Sequence, residues 1–414
     1  MTMPRKRSNP IRLFALTALW LIAANGAQVA WGADEKPLRV FILAGQSNMQ
    51  GHAHVRTIEA MRLNPTAALL LPDILNPDGT PRICEQVWIS SIGSAEEEQT
   101  GRLTAGFGAK ERGPKIGPEF TFGIYAAQRL NEPILIIKTA WGGKSLNTDF
   151  RPPGAGPYEF NETQLETFRT RNQDVLEMQA EQAQATRHYY RLMTDHVKYV
   201  LADIRRVYPD YNPEQGYKLA GFVWFQGWND MVDRGTYPTR DRPGGYDQYS
   251  QVMAQFIRDV RKDLAAPQLP FVIGVLGVGG PTAEYGPAEQ RYTAIHQNFR
   301  DAMAAPATLP EFQGNVATVL TENYWDREVV RLREREATIK PQVDELKKAI
   351  RDSQVRRETD QAAIDKLYAE TFSQDDLEVL QQSTSNFDFH YMGSAGIMTQ
   401  IGKGFAEAVL QLSE

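Results

Sequence analysis

Short apolar runs rich in β-branched residues recur along the chain, spaced so that a helix fits between them. Residues 38–44 (LRVFILA), 134–139 (ILIIKT), 219–226 (LAGFVWFQ), 271–277 (FVIGVLG) and 316–321 (VATVLT) share this character, and 87–91 (VWISS) is a weaker example. Runs that are apolar throughout, rather than at alternate positions, suit parallel strands covered on both faces. Between them, helical spacing of apolar residues predicts helices over 119–130, most of 162–207, 246–264, 287–304 and 394–411. Strand alternating with helix points to the α/β class: a three-layer α/β/α sandwich built on a parallel, doubly wound sheet.

Two stretches break the rhythm. Residues 51–118 are rich in Gly and Pro and show little periodicity, so they are expected as long loops over one edge of the sheet. Residues 326–382 are dense in charge, with apolar residues at helical spacing. They are expected as a charged helical insertion, a hairpin or short coiled coil broken at Pro341, within a single domain spanning 33–414.

The N-terminus adds a destination. Arg5, Lys6, Arg7 and Arg12 precede the apolar run LFALTALWLIAA and then small residues, the order of a signal peptide over residues 1–32. Export to the periplasm or the extracellular space is expected, with an uncleaved anchor as the alternative. No other stretch is long and apolar enough to span a bilayer. The formal charge of −6 and the lack of a long basic run argue against nucleic acid as a partner. Cys84 is the only cysteine in the 414 residues, so no internal disulfide helps to hold the fold.

In a doubly wound sheet ligands bind beyond the carboxyl ends of the strands, so the residues that follow each strand are the informative ones. After the first strand come Gly45, Gln46, Ser47 and Asn48. After ILIIKT come Trp141, Gly142, Gly143, Lys144 and Ser145, and after FVWFQ come Gly227, Trp228, Asn229 and Asp230. Asp388 and His390 stand just before the last helix. Ester hydrolysis by a serine needs a nucleophile, a base to take its proton and donors for the oxyanion. Ser47 suits the first role and His390 the second, while the Ser47 and Gly142 amides and the Asn229 side chain suit the third.

Taken together, GQSNM after the first strand, the paired glycines, GWND and the late histidine resemble the four blocks of the SGNH (GDSL-type) hydrolases. GQSNM and the ending FHYMGSAGI are similar to the sialate O-acetylesterase-like branch, which overlaps the acetylxylan esterases of carbohydrate esterase family six. The resemblance spans about 38–325 and 384–412 and leaves the insertion outside it. It implies the α/β/α fold, no metal or organic cofactor, and removal of acetyl groups from carbohydrate of sialate or xylan type. One block departs from the pattern: the usual acid stands three residues before the histidine, where this chain has Phe387. Asp388 is two before and Asn386 four before; Asp388 is one partner for the ring, and the alternative is a dyad in which backbone, or a carboxylate after the VATVLT strand such as Glu322 or Asp326, holds it.

Other residues carry weaker signals. Gln46, Gln226 and Trp141 are candidate substrate contacts, and Trp228 and Tyr324 could stack on sugar rings or simply cap the core. His52 and His54 lack a companion ligand set and are expected as loop histidines. The acidic residues 230, 233, 241 and 247 match no calcium loop. GVLGVGGP lacks the glycine spacing of a dinucleotide site. A catalytically silent carbohydrate-binding protein of the same fold is the alternative to an esterase.

Overall fold

The computed structural model describes residues 36–352 and 357–413. The expected signal peptide lies outside the described residues. Among those described, no helix is long and apolar enough to cross a membrane.

Among the described residues nine strands form, in chain order: β1 (Leu38–Gly45), β2 (Ala53–His54), β3 (Cys84–Gly93), β4 (Gln99–Leu103), β5 (Lys115–Ile116), β6 (Ile134–Ala140), β7 (Tyr217–Phe225), β8 (Phe271–Val275) and β9 (Val316–Leu320). Seven of them make one sheet in the order β4-β3-β6-β1-β7-β8-β9, parallel except for β4 at its edge. The chain moves outward from β1 to β3 and returns through β6. It then crosses β1 to lay down β7, β8 and β9, so the winding reverses at β1. That reversal opens a crevice beside the end of β1.

Neighbouring residues of β7 show why the sheet needs a layer on each side. Trp224 packs on Phe256 of the helix Asp247–Asp263, while Phe225 packs on Phe405 of the helix Ala395–Gln411. Successive strand side chains point to opposite faces, so a strand apolar at every position must be covered twice. The fold is the α/β sandwich expected.

Two expectations change in detail. Residues 51–118 are not all loop, because they supply β3 and β4 to the sheet and the small β2–β5 ribbon. The sequence of β4, QTGRL, has no apolar rhythm because an antiparallel edge strand needs cover on little of its surface. Pro341 does not break the insertion. The helix Arg327–Asp352 runs through it, pairs with Arg357–Thr371 as a hairpin, and is followed by Gln374–Gln382. Pro341 and Ala337, whose carbonyl loses its partner, both lie on an exposed face where water can satisfy it. Val329, Leu332, Phe372 and Val379 join the main core, so the base of this insertion is part of the packed protein.

Candidate active site

Register sets the site. Gly45 pairs with Ala140 on one side and with Phe225 on the other, so β6, β1 and β7 end level and release three loops at one height. From Gly45 the chain turns at once into a one-turn helix, Ser47–Gln50. A Cβ at 45 would lie 2.2 Å from the Phe225 carbonyl oxygen, so only glycine lets the strands close there. At the far end Gly51, with φ of 91°, packs on Gly117, whose Cα a Cβ would approach to 2.3 Å. The two glycines of the motif therefore clamp the serine turn between neighbouring backbones. Ser47 is the first residue of the turn, where a backbone N–H has no intrahelical acceptor and can meet an oxyanion.

A buried cation sits beneath the turn. Lys138 Nζ, on β6, donates to the Gln50 carbonyl at 2.8 Å, the Phe107 carbonyl at 3.0 Å and Glu119 Oε2 at 2.7 Å. Glu119 Oε1 accepts from the Gly117 N–H at 2.9 Å. A positive charge on the last carbonyl of the turn opposes its dipole favourably and ties it to the Phe107 loop and to the start of the helix Glu119–Leu130. Sequence reasoning missed Lys138; the signal was a lysine inside an otherwise apolar strand.

Ser47, Gly142, Asn229 and His390 line one cavity of about 440 Å³, with Gln46, His52 and Ser94 also in its wall. Hydrogen bonds fix which way the amides face. The Gly227 N–H can only donate, and it does so to Gln46 Oε1 at 3.0 Å. Gln46 Nε2 must then be the donor to Asn229 Oδ1, at 3.1 Å. This leaves the Asn229 NH₂ group for the cavity. Gln46 is thus a buried orienting residue as well as a cavity residue.

The same logic assigns the histidine. The Phe387 N–H donates to Asn386 Oδ1 at 2.8 Å, so that atom is an acceptor. His390 Nδ1, 3.0 Å from the same oxygen, therefore carries the proton and leaves Nε2 free to act as a base. Burial lowers the His390 pKa to about 4, which keeps the ring neutral at ordinary pH. Tyr391 and Met392 follow it with positive φ of 51° and 58°. Side chains seldom adopt this backbone, and it is held here by the Tyr391 hydroxyl, which accepts from the Gly277 N–H at 2.8 Å and meets Thr321 Oγ1 at 2.6 Å.

Several expected contacts are not made. Asp388 does not meet the histidine; its carboxylate pairs with Arg333 of the insertion, 2.5 Å away, because side chains two apart diverge in a tight turn. Glu322 pairs with Arg300, and Asp326 caps the Val329 N–H and accepts from Asn64, so neither reaches the ring. Gln226 is buried and donates to Asp230 and to the Lys144 carbonyl, holding the loop after β6 rather than facing substrate. Asp230 gathers the Leu146 and Asn147 N–H groups as well, and burial raises its pKa to about 6. Trp141 is buried against Phe150 and Tyr189, outside the cavity wall. The Gly142 N–H donates to Ser94 Oγ at 2.9 Å, so in this state it is engaged. A Cβ there would stand 3.8 Å from that of Ser47, so the glycine keeps the space beside the serine open.

His52, expected as a loop residue, instead stacks on His390 with ring centroids 3.9 Å apart and planes within 5°. Ser385 fixes this contact: its hydroxyl accepts from the His54 N–H at 3.0 Å and donates to the Gly393 carbonyl at 2.7 Å. Burial, then His390, Lys115 and Lys138, lower the His52 pKa to about 3.

Residues 37–308 match the family described as carbohydrate esterase, sialic acid-specific acetylesterase. The chain belongs to this family. The insertion and the His390 turn lie beyond the matched residues. Two solved structures are similar to this esterase family member. One is a protein from Arabidopsis thaliana, 17% identical over 69% of this chain and 86% of its own, with a TM-score of 0.37. The other is described as a novel carbohydrate acetylesterase from Xanthomonas citri, 15% identical over 69% of this chain and 51% of its own, with a TM-score of 0.38. No curated protein matches.

Proposed function

We propose that this esterase family member removes acetyl groups from sugars of sialate or xylan type through Ser47 as nucleophile. The observation that carries the proposal is the assigned tautomer of His390 in the wall of the cavity that Ser47 and Asn229 also line. His390 Nε2 takes the Ser47 proton as Oγ bonds to the acetyl carbonyl carbon, and the carbonyl oxygen becomes an oxyanion. The Ser47 N–H and the Asn229 NH₂ group face that oxygen, and the Gly142 N–H joins them when it leaves Ser94. As the C–O bond to the sugar breaks, His390 returns the proton to the departing hydroxyl. Water, deprotonated by the same nitrogen, then releases acetate from the acetyl-serine.

The test is acetate release from p-nitrophenyl acetate, acetylated xylan and an O-acetylated sialoglycan by wild type and Ser47→Ala, with phosphonate labelling of Ser47 alongside. Turnover and labelling that both vanish in Ser47→Ala are the expected outcome. A folded wild type with neither turnover nor labelling would make the chain a silent carbohydrate-binding member of its family.

A further inference from the structure

Beside the catalytic cavity runs a row of aromatic rings that the chemistry above does not use. Trp228 and Phe389 are part of the cavity wall, with centroids 5.6 Å apart. Phe389 packs edge-on to His390 at 4.4 Å. On its outer side Phe387 stacks on Phe389, centroids 5.3 Å apart and planes within 14°, and Phe387 itself is 69% exposed. Single exposed apolar residues are ordinary, but here three rings are contiguous and lead from bulk solvent to the reacting groups. The exposed Asp388 carboxylate, held by Arg333, puts a hydrogen-bond acceptor next to the outer ring.

We propose that Phe387, Phe389 and Trp228 form a stacking subsite for the sugar ring adjoining the acetylated one, so that the preferred substrate is an acetylated oligo- or polysaccharide rather than a monosaccharide. The proposal rests on the esterase reading and narrows its substrate. A pyranose ring presents axial C–H groups on its faces and hydroxyls on its rim. The C–H groups, weakly positive, suit the negative face of an aromatic ring, and the rim hydroxyls can donate to Asp388. Continuity with the cavity decides the occupant, because a sugar held there lies one residue away from an ester that Ser47 can reach.

The experiment compares wild type, Phe387→Ala and Phe387→Tyr on acetylated mono- and trisaccharides from xylan and mannan and on an O-acetylated sialoglycan. p-Nitrophenyl acetate and octanoate serve as esters without a second sugar. Phe387→Ala is expected to reduce the trisaccharide-over-monosaccharide preference in kcat/KM about fivefold, mainly through KM, the size of one aromatic stacking contact. Phe387→Tyr should restore it, since it keeps the face. An unchanged preference overturns the subsite, and a larger loss on octanoate than on trisaccharide would assign the rings to an acyl chain instead. Calorimetric titration of Ser47→Ala with the same trisaccharides, with and without Phe387→Ala, reads the subsite without turnover. An affinity that falls about fivefold supports the subsite even if Ser47 proves silent, whereas equal affinities, or no binding to any of them, overturn it.

Discussion

Asn386 Oδ1 and His390 Nδ1 stand 3.0 Å apart, and a neutral amide therefore occupies the place where a carboxylate was expected. An amide oxygen can orient the ring and select its tautomer, but it does not stabilise the imidazolium as a full charge would. Asn386→Ala should lower kcat/KM for acetyl esters about five- to tenfold, the order of one lost neutral hydrogen bond. Asp388→Asn should change it less than about twofold, since an exposed ion pair such as that with Arg333 contributes little. Steady-state kinetics on both variants check the assignment; the reverse order of losses would return the role to Asp388.

The pH profile should follow from the buried ring. As the proposed base, His390 would act only when neutral, and burial has moved its pKa from 6.5 to about 4. Activity should therefore hold from pH 7 down past 6 and fall only as pH approaches 4. Asn386→Asp would favour the charged ring and bring that limb back up toward 6, which a kcat/KM profile would show.

Stability should respond to pH through three buried histidines, His390 and His52 of the cavity and His296 on the helix Thr293–Ala304. Burial lowers His52 to about 3 and His296 and His390 to about 4. As pH drops below 6.5 the unfolded chain protonates these rings while the folded one does not, so stability falls until the folded values are reached. Asp230, raised to about 6, acts in the opposite sense between 6 and 3.8, and one group against three reverses only part of the loss. Urea midpoints measured from pH 7 to 4 should decline, and His296→Gln, outside the cavity wall, should flatten the decline.

The His52 stack predicts a graded response. His52→Ala removes one face of the ring that His390 leans on, and kcat should fall about fivefold, as expected for one aromatic contact. His52→Phe keeps a flat face and should recover most of this. A phenylalanine variant as impaired as the alanine one would mean that an imidazole nitrogen, not the stack, matters.

Lys138 and Glu119 are both buried, with side chains no more than 1% exposed. Lys138→Met strands the Glu119 charge and should cost about 3–5 kcal/mol of stability. Adding Glu119→Gln should return most of it, because the amide still accepts from the Gly117 N–H. Urea unfolding of the two variants checks this.

Much of the protein was legible in one dimension. Strands apolar at every position imply cover on both faces, and that alone demands the sandwich. The serine, the glycines around it, Asn229 and the late histidine were legible because strand ends in such a sheet converge whatever the intervening loops do. The edge strand β4 was not, since a strand half in water need not be apolar. Gln226 and Trp141 were assigned to substrate because they follow strands, but burial turned both inward.

Local periodicity and chain order were enough to specify the parallel strands of the sheet, its two covering layers and the groups brought to one end. Which group orients His390 is set instead by packing around its turn. Three candidate carboxylates lay within reach on paper, and the tight turn at 388–393 sends Asp388 to Arg333 and presents Asn386 to the ring. Side-chain direction in an irregular turn depends on backbone angles that packing imposes from outside, here through Tyr391, Gly277 and Thr321. The same holds for the His52–His390 stack and for the Glu119–Lys138 charge pair under the serine, whose members are 338 and 19 positions apart along the chain. Such distances are closed by the fold, and no local pattern records them.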